Sequence, residues 1–350
     1  MNPYVASFLI SALGLGTTLT FSSSHWLLAW MGLEVNTLAI IPLMTQKHSP
    51  RSVEAAAKYF ITQAAAAATI MFASTTNAWF TGSWDIIQLS HPTAATIAFM
   101  ALALKVGLAP VHFWLPEVIQ GLSLTTGLIL STWQKLAPIA LIIQITPAIN
   151  PSLILTMGVT SMLVGGWGGM SQTQIRKILA YSSIAHLGWM IVVSQISPHL
   201  TILALTMYIV MTTSTFLTMK MNAASSLNTL ATTWTKTPGL AALASLTLLS
   251  LGGLPPLSGF MPKWLILQEM TKQGFPLIAS FAALTALLSL FFYLRICYAM
   301  ALTAFPHTSG SSPSWRLQNN QASLLLATAT VGALGLLPIT PWLLSVASGN

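Results

Sequence analysis

The sequence predicts an all-α, polytopic membrane protein with about eleven transmembrane helices. Three observations carry this. Apolar stretches of about 20 residues, each able to cross a hydrocarbon core of roughly 30 Å, follow one another from end to end of a chain that is 54% hydrophobic. Only 5% of its 350 residues are charged, against roughly 25% in an ordinary soluble domain. The runs are unbroken rather than alternating, which selects helices over a closed barrel, the other structure that satisfies its backbone in lipid.

The expected spans are 3–21, 25–44, 54–79, 93–117, 121–146, 151–171, 174–195, 199–221, 238–270, 275–300 and 322–346. Eleven crossings put the termini on opposite sides. Loops on the N-terminal side then carry Lys47, Arg51, Arg176, Lys177, Lys220, Lys236, Arg295 and Arg316, and loops on the other side only Lys272. The positive-inside rule places the N-terminus in the cytoplasm or, equivalently, the mitochondrial matrix. A wrong number of spans would scramble this sorting. Trp26, Trp79, Trp84, Trp234, Trp264 and Trp342 fall near expected span ends, as an aromatic belt does.

Several functions are excluded. The single cysteine, Cys297, rules out an iron–sulfur cluster and an internal disulfide. No basic region precedes the first apolar run, so no cleavable signal or transit peptide is expected. The net charge of +8 sits mainly in loops, where it serves topology rather than nucleic-acid binding. Gly14-Leu15-Gly16 follows no strand and lacks a third glycine, so it is no nucleotide fingerprint. No Walker or zinc-protease motif occurs, and no histidine pair suits a haem. The chain alone has no evident means of carrying electrons.

Spans 4 and 9 are interrupted. The first reads Gly107-Leu108-Ala109-Pro110, then Pro116-Glu117; the second reads Gly253-Leu254-Pro255-Pro256, then Pro262-Lys263. The two align without a gap at a constant offset of 146 positions. Spans five apart cross the membrane in opposite directions. The match therefore predicts an inverted repeat, spans 1–5 against 6–10, with the last span added. Paired Pro/Gly-interrupted spans mark a transport site; a single such break would read as a packing kink.

Four charges lie inside apolar segments: Glu34, Lys105, Lys135 and Lys263. A charge at bilayer centre costs about 2.5–3.5 kcal/mol on insertion scales, so a chain that avoids charge yet keeps these four uses them. Burial disfavours the charged form of a side chain and a neighbouring opposite charge favours it. A Glu34–Lys105 pair whose spacing changes would thus be a proton switch; the alternative is a static ion pair that holds two helices in register. His112, in the first break, and His186, mid-span, are relay candidates because imidazole titrates near neutrality, although a lone histidine is more often a hydrogen-bonded core residue. His25, His48, His91, His199 and His307 lie at span ends or in loops. Glu117 and Asp85 lie near the surface, at a channel mouth or simply solvated, and Lys58 reaches its interface by snorkelling. Gly165-Gly166-Trp167-Gly168-Gly169 and the alanines 64–68 suit close helix packing.

Val111-His112-Phe113-Trp114-Leu115-Pro116-Glu117, Thr132-Trp133-Gln134-Lys135-Leu136, Arg176-Lys177-Ile178-Leu179-Ala180-Tyr181-Ser182-Ser183 and Leu254-Pro255-Pro256-Leu257-Ser258-Gly259-Phe260-Met261-Pro262-Lys263-Trp264 together resemble the NADH dehydrogenase subunit 2 family. These are the mitochondrially encoded, antiporter-like subunits of respiratory complex I. The start Met1-Asn2-Pro3 and the length fit vertebrate members. The resemblance covers essentially the whole chain. It implies an antiporter-like repeat over 1–146, a second, inverted repeat over 151–300, a matrix-side loop over 301–321 and a C-terminal transmembrane helix over 322–350. Bacterial relatives have fourteen helices; the resemblance implies that this chain, like animal mitochondrial versions, is without the first three, helices that would seal or brace the first repeat.

By motif position the resemblance implies that Glu34 pairs with Lys105, that Lys135 is the central lysine, and that Lys263 is the lysine of the second broken helix. Ser258 stands where many relatives have threonine, which keeps the hydroxyl. The family's NADH, FMN, iron–sulfur clusters and ubiquinone are used by other subunits, with no cofactor on this chain. Its partners would be other membrane-arm subunits and inner-membrane lipids, with no nucleic acid. The location implied is the mitochondrial inner membrane, N-terminus in the matrix and C-terminus towards the intermembrane space.

Three functions compete. A proton-translocating complex I subunit would be inert or unstable alone. A stand-alone cation/proton antiporter would exchange sodium or potassium for protons in liposomes; the scarcity of intramembrane carboxylates, with only Glu34 central, argues against it. A non-pumping structural subunit would tolerate neutral replacement of each of the four charges.

Overall fold

Prolines and short polar side chains set where the helices begin. Pro3 opens the first helix, and the Asn2 side chain accepts the Tyr4 amide. Ser49 accepts the Ser52 amide and Pro50 follows it. The third helix therefore starts four residues before the expected 54. An N-cap oxygen takes one of the orphan N–H groups of the first turn, and proline at the next position loses nothing because its N–H would be unsatisfied anyway.

The computed structural model describes residues 2–46, 48–302, 323–342 and 345. In chain order the helices are α1 (Pro3–Ser22), α2 (Trp26–Met44), α3 (Pro50–Thr81), α4 (Pro92–Val106), α5 (Trp114–Gly121), α6 (Leu124–Ile145), α7 (Pro151–Met170), α8 (Ile175–Ser194), α9 (Pro198–Met221), α10 (Leu227–Ala231), α11 (Thr233–Lys236), α12 (Pro238–Gly252), α13 (Phe260–Lys272), α14 (Pro276–Leu302) and α15 (Ser323–Gly335). Among the described residues, seven helices are long and apolar enough to cross a membrane: α1, α2, α6, α7, α8, α9 and α14. Shorter apolar helices are α4, α12 and most of α15. Lys47, His307, Arg316, the loop from 303 and the C-terminal segment from 346 lie outside the described residues.

The chain divides into two units, Met1–Thr160 and Ser161–Asn350. In the first, α1 lies against α2 where two glycines meet: a Cβ on Gly16 would strike the Gly32 carbonyl, and one on Gly32 the Gly16 carbonyl. Helix α3 packs on α2, α4 and α5, and α6 closes the unit against α1, α2 and α4. In the second, α9 packs on α8, α12, α13 and α15, and α14 on α12 and α13. The glycine cluster of α7 does pack closely. Gly165 abuts the Ala185 backbone, Gly168 the Tyr181 ring and Gly169 the Phe292 ring.

Each unit has a corner of two antiparallel backbone hydrogen bonds around an isolated β-bridge. In the first, His25 faces Asp85, with Trp26 N donating to Trp84 O at 3.0 Å and Ile86 N to Ser24 O at 2.9 Å. In the second, Gln174 faces Ser226, with Leu227 N donating to Thr173 O at 3.1 Å and Ile175 N to Ser225 O at 3.4 Å. The first corner draws residues 84–86 across the start of α2. Trp26 is consequently buried instead of standing in a belt, whereas Trp79, Trp264 and Trp342 are exposed.

Polarity is inverted relative to a water-soluble protein. Phe8 and Leu15 of α1 and Leu277, Leu284, Leu287 and Phe291 of α14 are exposed, while Asn36, Gln63, Lys105, Lys135 and Lys263 are buried. An apolar exterior over a partly polar interior is the arrangement that a lipid solvent favours.

Candidate functional site

The first break fashions the site in the first unit. Helix α4 ends at Val106, and Gly107 turns the chain with φ +87°, a left-handed conformation that glycine adopts without steric cost. The last carbonyls of a helix have no internal donors. Here the Trp114 indole N–H donates to Leu104 O at 3.0 Å and the Gln63 amide to Lys105 O at 3.4 Å. The break is thus sealed by side chains from α5 and α3. Pro138 interrupts α6 and removes the N–H that would bond the Gln134 carbonyl. The Gln134 amide donates to Asn36 O at 3.2 Å, fastening α6 to α2.

Five helices converge on a cavity of about 10 Å³, near the lower bound of what one water requires. Its walls are Leu33, Asn36 and Thr37 of α2, Tyr59 and Gln63 of α3, Lys105 and Val106 of α4, Trp114 and Leu115 of α5, and Leu130, Gln134, Lys135 and Pro138 of α6. Lys105 is 6% exposed and Lys135 2%. The Lys105 Nζ and the Asn36 Oδ1 are buried without a hydrogen-bond partner. Two basic side chains from different helices therefore share one polar chamber within an apolar wall.

Glu34 lies two residues before Asn36 on α2, about half a turn away, half-buried, with its Oε2 buried and unbonded. It does not line the cavity. It also forms no ion pair with Lys105: the salt bridges among the described residues are Lys58–Glu54, Lys58–Glu117 and Lys272–Glu269. No contact joins the two side chains that motif position pairs.

His112 is buried in the break with its Nδ1 3.3 Å from Pro110 O. His186 is half-buried on α8, its ring 5.6 Å from that of Tyr208. Neither lines the cavity. Glu117 pairs with Lys58 at 2.7 Å at the exposed end of α3 and α5, and Lys58 also meets Glu54 at 2.8 Å.

In the second unit, α12 ends at Gly252, Gly253 turns the chain with φ +80°, and α13 restarts at Phe260. Lys263, 9% exposed, folds back so that its Nζ donates to Gly252 O at 2.7 Å. A helix C-terminus carries partial negative charge and favours a cation. The side chain lies directly over Gly253, where a Cβ would sit 2.9 Å from the Lys263 Cδ. Among the described residues no cluster of three or more His, Cys, Asp or Glu residues could hold a metal.

Six polar or aromatic wall residues were given no role from the sequence: Asn36, Thr37, Tyr59, Gln63, Trp114 and Gln134. A signal existed for Gln63, an amide beside an alanine run inside a long apolar helix. Such an amide must find a partner when buried.

A family model described as NADH:quinone oxidoreductase/Mrp antiporter, TM, matches residues 23–289, and one described as NADH dehydrogenase subunit 2 C-terminus matches residues 290–344. The chain is 68% identical over 341 residues to NADH-ubiquinone oxidoreductase chain 2 of Oncorhynchus mykiss, covering 97% of this chain and 98% of that one. It is 66% identical over 346 residues to the Carassius auratus protein of the same name, covering 99% of each. Its fold resembles a chain in the structure of respiratory complex I from Thermus thermophilus with bound aureothin, with a TM-score of 0.84, 28% identity and coverage of 97% of this chain and 79% of that one. A chain of the Mrp complex from Dietzia sp. shares the fold, with a TM-score of 0.78, 19% identity and coverage of 97% and 74%. Matched along nearly its whole length by relatives this similar, the chain belongs to the NADH-ubiquinone oxidoreductase chain 2 family.

Proposed function

We propose that this chain is a core membrane subunit of respiratory complex I that contributes to proton translocation from matrix to intermembrane space. Electron transfer from NADH to ubiquinone, on other subunits, drives it. The observation that carries the reading is the shared burial of Lys105 and Lys135 around one small polar chamber, beside relatives named as chains of NADH-ubiquinone oxidoreductase. A change of charge reaching Glu34 alters its coupling to Lys105, and Lys105 in turn faces Lys135 across the chamber. Lys263, held by the end of α12, is the proton carrier of the second unit; His112 in the first unit and His186 in the second are candidate relays. Each proton works against about 2.3 kcal/mol per 100 mV. A change of a few units in proton affinity, at about 1.36 kcal/mol per unit, is of that size.

The architecture proposed with this function has eleven spans. Seven long helices, α3, the broken pairs α4/α5 and α12/α13, and the last helix make up that number. The proposed inverted repeats, 1–146 and 151–300, are supported by the matching left-handed glycines, Gly107 and Gly253, and by the matching backbone corners. The charge bias of the loops supports an N-terminus in the matrix and a C-terminus towards the intermembrane space.

The test is Lys135→Met in the assembled complex, which keeps the aliphatic stem and removes the amine. The proton-to-electron ratio is expected to fall. An unchanged ratio with an intact complex refutes the role of the chamber. A stand-alone antiporter shares the fold; the chain purified into liposomes and exchanging sodium or potassium for protons would favour that reading instead.

A further inference from the structure

The C-terminal helix α15 lies beyond the two proposed repeats, yet it reaches into the second break. The Ala333 carbonyl belongs to the last turn of α15, where helical donors run out, and Ala333 is wholly buried. Two side chains supply what the helix cannot. Ser250, in the last turn of α12, donates its hydroxyl to Ala333 O at 2.6 Å. Ser258, in the loop between α12 and α13, donates its hydroxyl to the same oxygen. Both serines are wholly buried. A hydroxyl has one proton and a carbonyl two lone pairs, so these two bonds use the donors fully and saturate the acceptor. The serine hydroxyls, 3.4 Å apart, are joined through Ala333 rather than through each other.

The same segment is pressed against α12 from a second direction. A Cβ on Gly259 would coincide with the Ser250 carbonyl, so the loop rests on the last turn of α12 with no space between. Gly252, the acceptor for Lys263, is two residues past Ser250. Phe260, the start of the helix that carries Lys263, is two residues past Ser258. Lys263 itself lies five past Ser258, so both partners of the Lys263–Gly252 bond are tied through short stretches of chain to one carbonyl of α15. The first unit seals its break differently, with the Trp114 indole on Leu104 O.

We propose that α15 is a strut for the second break, and that Ser250 and Ser258 are positioning residues that hold Lys263 on the Gly252 carbonyl. The inference rests on the reading of Lys263 as a proton carrier. The test uses assembled complex I carrying Ser258→Ala, the Ser250→Ala/Ser258→Ala pair, Ser258→Thr, or Lys263→Met as reference. Two quantities are measured: the proton-to-electron ratio during NADH oxidation, and amide hydrogen exchange over residues 253–263. Both serine-to-alanine variants are expected to lower the ratio in the direction of Lys263→Met and to speed exchange in the loop, by about fivefold for Ser258→Ala, the weight of one neutral hydrogen bond, and by up to about thirtyfold for the pair. Ser258→Thr, which keeps the hydroxyl, is expected to retain both. Should the double variant fail to assemble, Ser258→Ala, which leaves the Ser250 bond in place, gives the same readouts. A lowered ratio in Lys263→Met with normal ratio and normal exchange in the serine variants overturns the strut. An unchanged ratio in Lys263→Met overturns the role given to Lys263, while the exchange data separately decide whether α15 braces the loop.

Discussion

Gly253→Ala separates two contributions at the second break. Gly253 has φ +80°, where an alanine costs about 1–2 kcal/mol through its Cβ. That Cβ would also sit 2.9 Å from Cδ and 3.1 Å from Nζ of Lys263, closer than the side chain tolerates. Relief requires the amine to leave Gly252 O, now 2.7 Å away. A hydrogen bond from a charged group is worth roughly 1.5–3 kcal/mol. The combined expectation is about 2.5–5 kcal/mol. Gly82 and Gly274 supply the control: they have φ +72° and +79° with nothing within 4 Å of an added Cβ. Gly82→Ala and Gly274→Ala therefore carry the backbone cost alone. Thermal inactivation of the solubilised complex reads the stability difference, and the proton-to-electron ratio reads the displaced lysine. If Gly253→Ala is no more destabilising than Gly274→Ala and keeps the ratio, the Lys263–Gly252 contact has no bearing on transport.

Three further outcomes are expected. Gln63→Leu removes the donor to Lys105 O and leaves a buried carbonyl at the end of α4, at a cost of about 1–3 kcal/mol measurable as lower thermal stability; an unaffected midpoint would show that the bond is dispensable. Gly168→Ala drives a methyl into the Tyr181 ring and costs roughly 1–3 kcal/mol, whereas Gly14→Ala meets no atom within 4 Å and gains up to about 1 kcal/mol of helix propensity; equal midpoints for the two would refute the packing argument. Glu117→Gln breaks one exposed ion pair with Lys58, which solvent screens, so thermal midpoint and proton-to-electron ratio are both expected to stay unchanged; a lowered ratio would restore Glu117 as a channel-mouth residue.

The breaks were legible because glycine and proline act locally. Gly107 and Gly253 each end a helix in the left-handed conformation that the motif alignment requires. The burial of Lys105, Lys135 and Lys263 was legible because a charge inside an apolar run has few places to go. The chamber was not. Its walls are brought together from five helices, and Gln63 and Lys105 are 42 positions apart in the chain. No local pattern encodes such a meeting. Lys58 likewise meets Glu117, 59 positions on, where sequence alone left one to snorkel and the other to solvent. The Glu34–Lys105 pair expected from motif position is not in contact, because motif position places charges on particular helices but not the last few ångströms between side chains. Trp26 misled for a related reason: a span end is an interface only if nothing folds over it.

The two backbone corners are indifferent to side-chain chemistry. Ser24, Trp84, Thr173 and Ser225 lend only their carbonyls, and Trp26, Ile86, Ile175 and Leu227 only their amides. Nineteen of the twenty amino acids can supply either group, and proline alone is barred from the donor positions. The bonds themselves thus place no demand on side-chain identity, although Trp26, Ile86, Ile175 and Leu227 are also held by burial. Backbone geometry of this kind can match between the two proposed repeats where the letters do not.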